Sequence, residues 1–434
     1  MPESNQASRA SASTRRQFLA NTTAALAAAA VASSAIQSAV YAGSTDTIKI
    51  GLVGCGGRGT GAAAQALAAD PNIKLVALGD MFKDQFDITL QSLSQTDVAS
   101  QVAVAEDHKF VGWDAYKSVI EASDVVLLAT PPHFRPVHLN AVIAAGKHCF
   151  CEKPVGVDAL SVQSVMESAK LAQQKNLNLV SGLCFRYDAS KEECVKRIHD
   201  GAVGKILTLQ SDFLTGYLWY KPRKPEWSDF EWQLRDWLYF YWLSGDHIVE
   251  QHIHSLDKAL WIMQDVPPKK VIASGGRACR TQEEFGNVYD HFNSIFEWAD
   301  GTKCYSACRQ WTGKEQVSTD VSDWVYGTDG VANVQLQRIT GKNPFHIRDA
   351  RIGMYYAEHK ALFSAIRSGN TINNGDYMCK STLMGIMARQ SAYTGTTVTW
   401  DQVMTSKEDL RPAKYEFGPF PTPPIAVPGT TKWI

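Results

Sequence analysis

Residues 54–59 read Gly-Cys-Gly-Gly-Arg-Gly, which places Gly54, Gly56 and Gly59 in a G-x-G-x-x-G spacing. The run follows an apolar segment, Ile48 to Val53, and opens an alanine-rich one, Ala62 to Ala69. A strand, a glycine turn and a helix in that order suit a pyrophosphate. Gly54 permits the tight turn, Gly56 lets backbone approach the phosphates, and Gly59 lets the helix sit close to the sheet. The helix-terminal N–H groups, with Gly57 and Arg58 inside the turn, complete the phosphate end of a dinucleotide site. Asp80 ends the next apolar run, Ile73 to Leu78 followed by Gly79, where a carboxylate accepts hydrogen bonds from the adenosine ribose hydroxyls. That carboxylate repels a 2′-phosphate and so favours NAD over NADP, while Lys83 nearby keeps the NADP alternative open.

A second constellation lies at Gly245-Asp246-His247-Ile248-Val249-Glu250-Gln251-His252-Ile253-His254-Ser255-Leu256-Asp257. Hydride transfer from a carbinol needs a base for the hydroxyl proton and a cation for the developing alkoxide. His254, with an ordinary pKa of about 6.5, suits the base, and Lys153 supplies the charge. Glu250 orients the base or shares its proton, and Asp257 orients a neighbour or caps a helix containing Lys258 to Met263. The rival chemistry is a metal. In an extended segment Glu250, His252 and His254 point to one face, a zinc-like oxygen and two imidazoles. In a helix His252 faces away and the set collapses, so no metal is assigned. Each histidine also has a plain alternative as a satisfied core residue.

The elements that position these groups alternate. Buried strands at Ile48–Val53, Ile73–Leu78, Asp124–Ala129 and His148–Cys151, separated by helices and short loops, indicate a doubly wound parallel sheet over residues 43–165. Residues 166–400 read as an α/β domain. Helices fall near 158–175 and 188–200, and alternating stretches such as 206–213, 270–274, 293–298 and 302–309 suggest a large, mostly antiparallel open sheet. The last expected helix runs from about Tyr356 to Ser368, and a proline-bearing tail, 401–434, packs on the surface. Tyr217 to Trp242 is an aromatic insertion with five of the chain's 12 tryptophans. Its rings suit stacking on sugars, and suit core or an oligomer interface equally.

Composition narrows the partners. Hydrophobic residues make up 45% and charged residues 20%, with a net charge of -1, which offers no electrostatic attraction to nucleic acid or to an anionic membrane. The 9 cysteines lack CxxC spacing and read as buried free thiols. Residues 14–20, Thr-Arg-Arg-Gln-Phe-Leu-Ala, precede a weakly apolar run and Val40-Tyr41-Ala42. This reads as a twin-arginine signal peptide over residues 1–42, sending a folded, soluble protein without a stable membrane anchor to the periplasm or beyond. No free dinucleotide pool is expected there, so the cofactor should travel bound.

Ile50 to Gly59, Ala129-Thr130-Pro131-Pro132, Gly146-Lys147-His148 and Cys151-Glu152-Lys153-Pro154 together resemble the glucose–fructose oxidoreductase / inositol dehydrogenase (Gfo/Idh/MocA) family. The resemblance covers about residues 47–400 and implies sugars, cyclitols or their derivatives as substrates, with homo-oligomers built through the open sheet. It implies that Thr130, Pro131, His133 and Glu152 line the nicotinamide and its ribose, that Lys153 contacts both that ribose and substrate, and that Arg186 lies near the cofactor. Aligning His254 with the family histidine places Asp257 and Trp261. It also puts Glu250 where an aspartate is usual and His252 where a glycine is usual. The expectation is an exported NAD-dependent oxidoreductase acting on a sugar. A close alternative is an NAD-dependent glycoside hydrolase that oxidises, eliminates, hydrates and re-reduces. A third is a non-catalytic sugar-binding protein.

Overall fold

Six parallel strands form the first sheet in the order β3-β2-β1-β4-β5-β6. They are β1 (Ile48–Val53), β2 (Ile73–Asp80), β3 (Lys109–Val111), β4 (Val125–Leu128), β5 (His148–Cys151) and β6 (Leu179–Ser181). Strands β4 and β5 are buried at every position, as expected of a sheet covered by helices on both faces. The crossover at β1 leaves β2 on one side and β4 on the other, and a doubly wound sheet binds ligands outside its strand ends at such a switch point. The sixth strand lies past the expected boundary at residue 165.

This computed structural model describes residues 45–312, 317–347 and 352–432. The signal segment expected at residues 1–42 lies outside the described residues. Among the described residues no helix is long and apolar enough to cross a membrane.

The second sheet has nine strands in the order β14-β13-β12-β11-β7-β10-β9-β8-β15. They are β7 (Ile206–Thr215), β8 (Lys270–Gly276), β9 (His291–Glu297), β10 (Lys303–Gln310), β11 (Asp320–Gly327), β12 (Gly330–Asn333), β13 (Arg338–Gly341), β14 (Phe345–His346) and β15 (Val398–Thr399). Its pairs are antiparallel apart from β7 with β10. One face packs on helices; the other leaves Ile272, Ile295 and Tyr305 exposed.

The chain crosses back to the first domain after the sheet. Helix Met354–Ser368 packs on the Gly57–Ala69 helix, its Leu362, Phe363 and Ile366 joining the core beneath β1 and β2. Residue 368 is not the end of helical structure. Helix Gly375–Thr394 follows, packed between the Ala159–Gln174 helix and β8. Its sequence carries no polar stripe because nearly every position is buried. All nine cysteines are free thiols, and eight of them are buried.

Candidate functional site

The glycine turn has the geometry its spacing implies. Gly54 sits at φ +95, and a Cβ there would lie 2.5 Å from the Thr130 backbone nitrogen. A Cβ on Gly59 would lie 1.9 Å from the Gly54 carbonyl oxygen, so helix and turn touch backbone to backbone. At Gly56 and Gly57 a Cβ would meet nothing within 4 Å. That space is open cleft, in front of the unpaired N–H groups of the first helical turn. The cleft has a volume of 610 Å³, and Gly54, Gly56, Asp80, Thr130, Pro131 and Glu250 line it. Asp80 braces the turn by accepting the Cys55 N–H at 2.7 Å and the Phe82 N–H at 2.9 Å, and burial pushes its carboxyl up. These features fit a dinucleotide.

Behind the turn lies a cluster with no local sequence signal. Arg58 Nε is 3.0 Å from Glu152 Oε1, an ion pair whose N–H direction falls short of a hydrogen bond. Its guanidinium stacks on Tyr355 at 4.9 Å, and Glu358 is buried behind it with both carboxylate oxygens unpartnered. Burial, and next the Glu152 carboxylate, raise the Glu358 carboxyl well above its ordinary value.

Lys153 meets Glu250, which forms part of the cleft wall. Lys153 Nζ donates to Glu250 Oε1 at 2.8 Å and to the Glu250 carbonyl at 2.7 Å. Glu250 ends a short helix, His247–Glu250, and His254 stands in the next, Ile253–Ile262. His254 is half-buried, with its ring edge on Phe185 at 5.3 Å and its Nδ1 enclosed without a partner. Burial, then the Lys153 and Lys258 cations, lower its pKa well below 6.5, so the imidazole is neutral. His252 turns away and shares a 2.6 Å hydrogen bond with Ser306 Oγ on β10, and burial pulls it down to about 3. The helical segment therefore sends Glu250, His252 and His254 to different partners. Among the described residues no group of three or more His, Cys, Asp or Glu could hold a metal ion.

Three expected site residues lie elsewhere. His133, expected at the nicotinamide, is buried among aromatic rings. Its Nε2 shares a 2.8 Å hydrogen bond with the Tyr415 hydroxyl and its ring edge meets Trp242 at 4.9 Å. Burial lowers it to about 4. Arg186, expected near the cofactor, and Asp257, expected in the catalytic set, bind each other. Arg186 Nε and Nη2 reach the Asp257 carboxylate at 2.9–3.0 Å, Asp265 takes the other edge at 2.7 Å, and Tyr377 stacks on the guanidinium at 3.9 Å. Asp257 also accepts from Ser381 Oγ at 2.8 Å. Neither residue lines the cleft; of the candidate catalytic set only Glu250 does, and Lys153 reaches it through its bond to that carboxylate. A bidentate, buried, stacked arginine is a structural clamp. Thr130 Oγ1 shares a 3.2 Å hydrogen bond with His138 Nδ1 at the cleft wall.

The aromatic insertion divides. Phe230, Trp232, Phe240 and Trp242 are buried together, whereas Trp219 and Trp237, 6.0 Å apart, face the cleft.

Comparison with known proteins agrees with this architecture. Residues 48–183 match the model of an oxidoreductase family with an NAD-binding Rossmann fold, and residues 192–333 match the GFO/IDH/MocA C-terminal domain. A 2,7-anhydro-N-acetylneuraminate hydratase of Escherichia coli is 25% identical over 224 residues, 50% of this chain and 53% of that protein. An inositol 2-dehydrogenase of Rhizobium meliloti is 24% identical over 296 residues, 67% of this chain and 77% of that protein. The chain spans about half the length of curated relatives such as the hydratase. The crystal structure of an aldose-aldose oxidoreductase from Caulobacter crescentus, complexed with glycerol, superposes with a TM-score of 0.63 at 19% identity, over 81% of this chain and 99% of that one. The chain belongs to the Gfo/Idh/MocA family, with an NAD-binding Rossmann domain followed by that family's C-terminal domain.

Proposed function

We propose that this protein is an NAD-linked enzyme acting at a secondary carbinol of a sugar or sugar derivative. The observation that carries this reading is the Lys153–Glu250 pair, whose Glu250 lines the same cleft as the glycine turn, with the neutral His254 imidazole under the influence of the Lys153 cation. Bound NAD would accept hydride from the carbinol carbon. The chain's own residues manage the proton and the charge. With Nδ1 enclosed, Nε2 is the His254 nitrogen left to take the hydroxyl proton. Lys153 has three N–H donors and gives two to Glu250, which leaves one for the substrate oxygen. An ammonium held in this way is already oriented toward the developing alkoxide.

A redox-neutral variant uses the same residues: transient oxidation, elimination or hydration, then re-reduction. Similarity to a hydratase supports it, as does the twin-arginine segment at 1–42. We propose export by that route, which favours chemistry that regenerates its cofactor each cycle. The exposed sheet face around Ile272, Ile295 and Tyr305 is the surface proposed for homo-oligomer formation.

Denaturing the purified protein and quantifying released nucleotide tests the cofactor reading. A panel of sugars and glycosides then separates the two chemistries. NADH accumulating in step with sugar supports net oxidation, and substrate cleavage or hydration without change in the NADH absorbance band supports the redox-neutral cycle. A protein that carries and binds no nicotinamide nucleotide refutes both.

A further inference from the structure

On the dinucleotide reading Asp80 receives the adenosine ribose, which puts Met81 and Phe82, directly after it and also in the cleft lining, toward the adenine. The aromatic insertion closes on these residues. Its buried rings, Phe230, Trp232, Phe240 and Trp242, pack with Met81, Phe82, Trp113 and Phe134 from the loops after β2, β3 and β4. Its open side presents Leu218, Trp219, Trp237 and Leu238 to the same space that Gly56 and Asp80 line. Flat apolar rings over that space are what a purine stacks on.

Arg235 bolts the insertion to the nucleotide domain. Its guanidinium lies 3.7 Å over the Phe82 ring and its Nη1 is 3.3 Å from Asp84, at the start of the Asp84–Ser94 helix. Glu231 holds the Nε edge at 2.9 Å and Trp227 flanks the guanidinium at 4.9 Å. The tail then crosses outside. Phe417 stacks on Phe82 at 6.3 Å, and Tyr415 reaches His133. Phe420 is tied to the insertion at both backbone polar groups. Its N–H donates to Asp229 at 3.0 Å and its carbonyl accepts from Gln233 at 2.7 Å.

We propose that residues 217–242, braced by the tail, form the outer wall of the adenosine subsite. On this assignment Trp219 and Trp237 contact the purine, and the dinucleotide is a resident group rather than an exchanging one. The inference rests on the dinucleotide reading of the glycine turn. It gives the cleft-facing aromatics to the cofactor and leaves the sugar to Lys153 and His254.

The test uses the full-length protein with Trp219→Ala and Arg235→Gln. Trp219 is 46% exposed, so its truncation costs the fold little even if Arg235→Gln loosens the wall. The measurements are the rate of NAD release on dialysis and the affinity of nucleotide-stripped protein for AMP, which carries the adenosine half alone. Wild type should retain NAD, and each variant should release it roughly ten-fold faster. Trp219→Ala should weaken AMP by a similar factor. Wild-type release rates and AMP affinity in both variants overturn the inference while leaving the cofactor reading intact. A wild-type protein that binds neither NAD nor AMP overturns the cofactor reading, and the wall with it.

Discussion

Lys153 meets Glu250 twice, through the carboxylate at 2.8 Å and through the backbone carbonyl at 2.7 Å. The carbonyl fixes where the ammonium sits, and the carboxylate supplies the opposite charge, with both groups largely shielded from water. Removing the cation by Lys153→Met should lower kcat about a hundred- to a thousand-fold, the scale seen for a lost oxyanion donor. Glu250→Gln keeps an acceptor for Lys153 and loses only the charge, so its effect should be the smaller of the two. Turnover of whichever sugar the panel identifies checks this. Equal rates for Lys153→Met and wild type would remove Lys153 from the chemistry.

The Arg186–Asp257 clamp makes the opposite demand. Both side chains are largely buried, and Asp257→Ala takes away one of the two carboxylates on Arg186 while Asp265 stays as its counterion. Breaking a buried pair outright costs about 3–5 kcal/mol, so this variant should lower the Tm by part of that amount. An aspartate in the catalytic set would behave differently: Asp257→Asn would abolish turnover at an unchanged Tm. Thermal melts set beside kcat for the two variants separate these roles.

The glycine turn offers a contrast between fold and ligand. Gly59→Ala drives a Cβ into the Gly54 carbonyl, backbone that cannot step aside, and should cost about 1–3 kcal/mol or more of stability. Gly56→Ala meets no protein atom and keeps an ordinary φ of -76, so the nucleotide-free protein should melt as wild type does. Its NAD affinity should still fall, because the added methyl occupies space left for phosphate. If Gly56→Ala binds NAD as tightly as wild type, the pyrophosphate lies elsewhere.

What the sequence could show follows from how local each signal is. Strands β1, β4 and β5 are legible because burial on both faces leaves mainly apolar runs, interrupted by the exposed Lys49 in β1 and opened by His148 in β5. The glycine turn is legible because its three glycines fall within six residues, directly between an apolar run and an alanine-rich one. Helix Gly375–Thr394 is hidden for a related reason: burial on all sides erases the polar stripe that periodicity detects. His133 sits beside the cleft-lining Pro131, yet one turn of chain is enough to swing its ring into the aromatic core. The pairing of Arg186 with Asp257, and the stacking of Tyr355 on Arg58, join residues far apart in the chain and leave no local trace. The same holds for the insertion, whose composition suits a sugar platform and a cofactor wall alike until Arg235 is seen over Phe82.

Asp236 provides a pH signature within that insertion. It is fully buried, its Oδ1 accepts the Lys221 N–H at 2.6 Å, and its Oδ2 has no partner. Burial pushes the carboxyl up to about 8. In the unfolded chain the same group ionises near pH 3.9. Its folded pKa is therefore the higher one, and the native state holds a proton that the unfolded state gives up. The stability this contributes is complete below about pH 4 and is lost, at up to about 1.4 kcal/mol per pH unit, as the pH climbs toward 8. Asp236→Asn keeps the acceptor for Lys221 and cannot ionise, so it escapes that loss. The Tm of Asp236→Asn relative to wild type should rise steadily between pH 5 and pH 8 and level off above. Any fixed cost of the unpaired amide N–H shifts both ends of this series equally and leaves the slope intact. A Tm difference that stays constant across the range would mean that Asp236 is ionised in the fold, and that its environment is wetter than its burial implies.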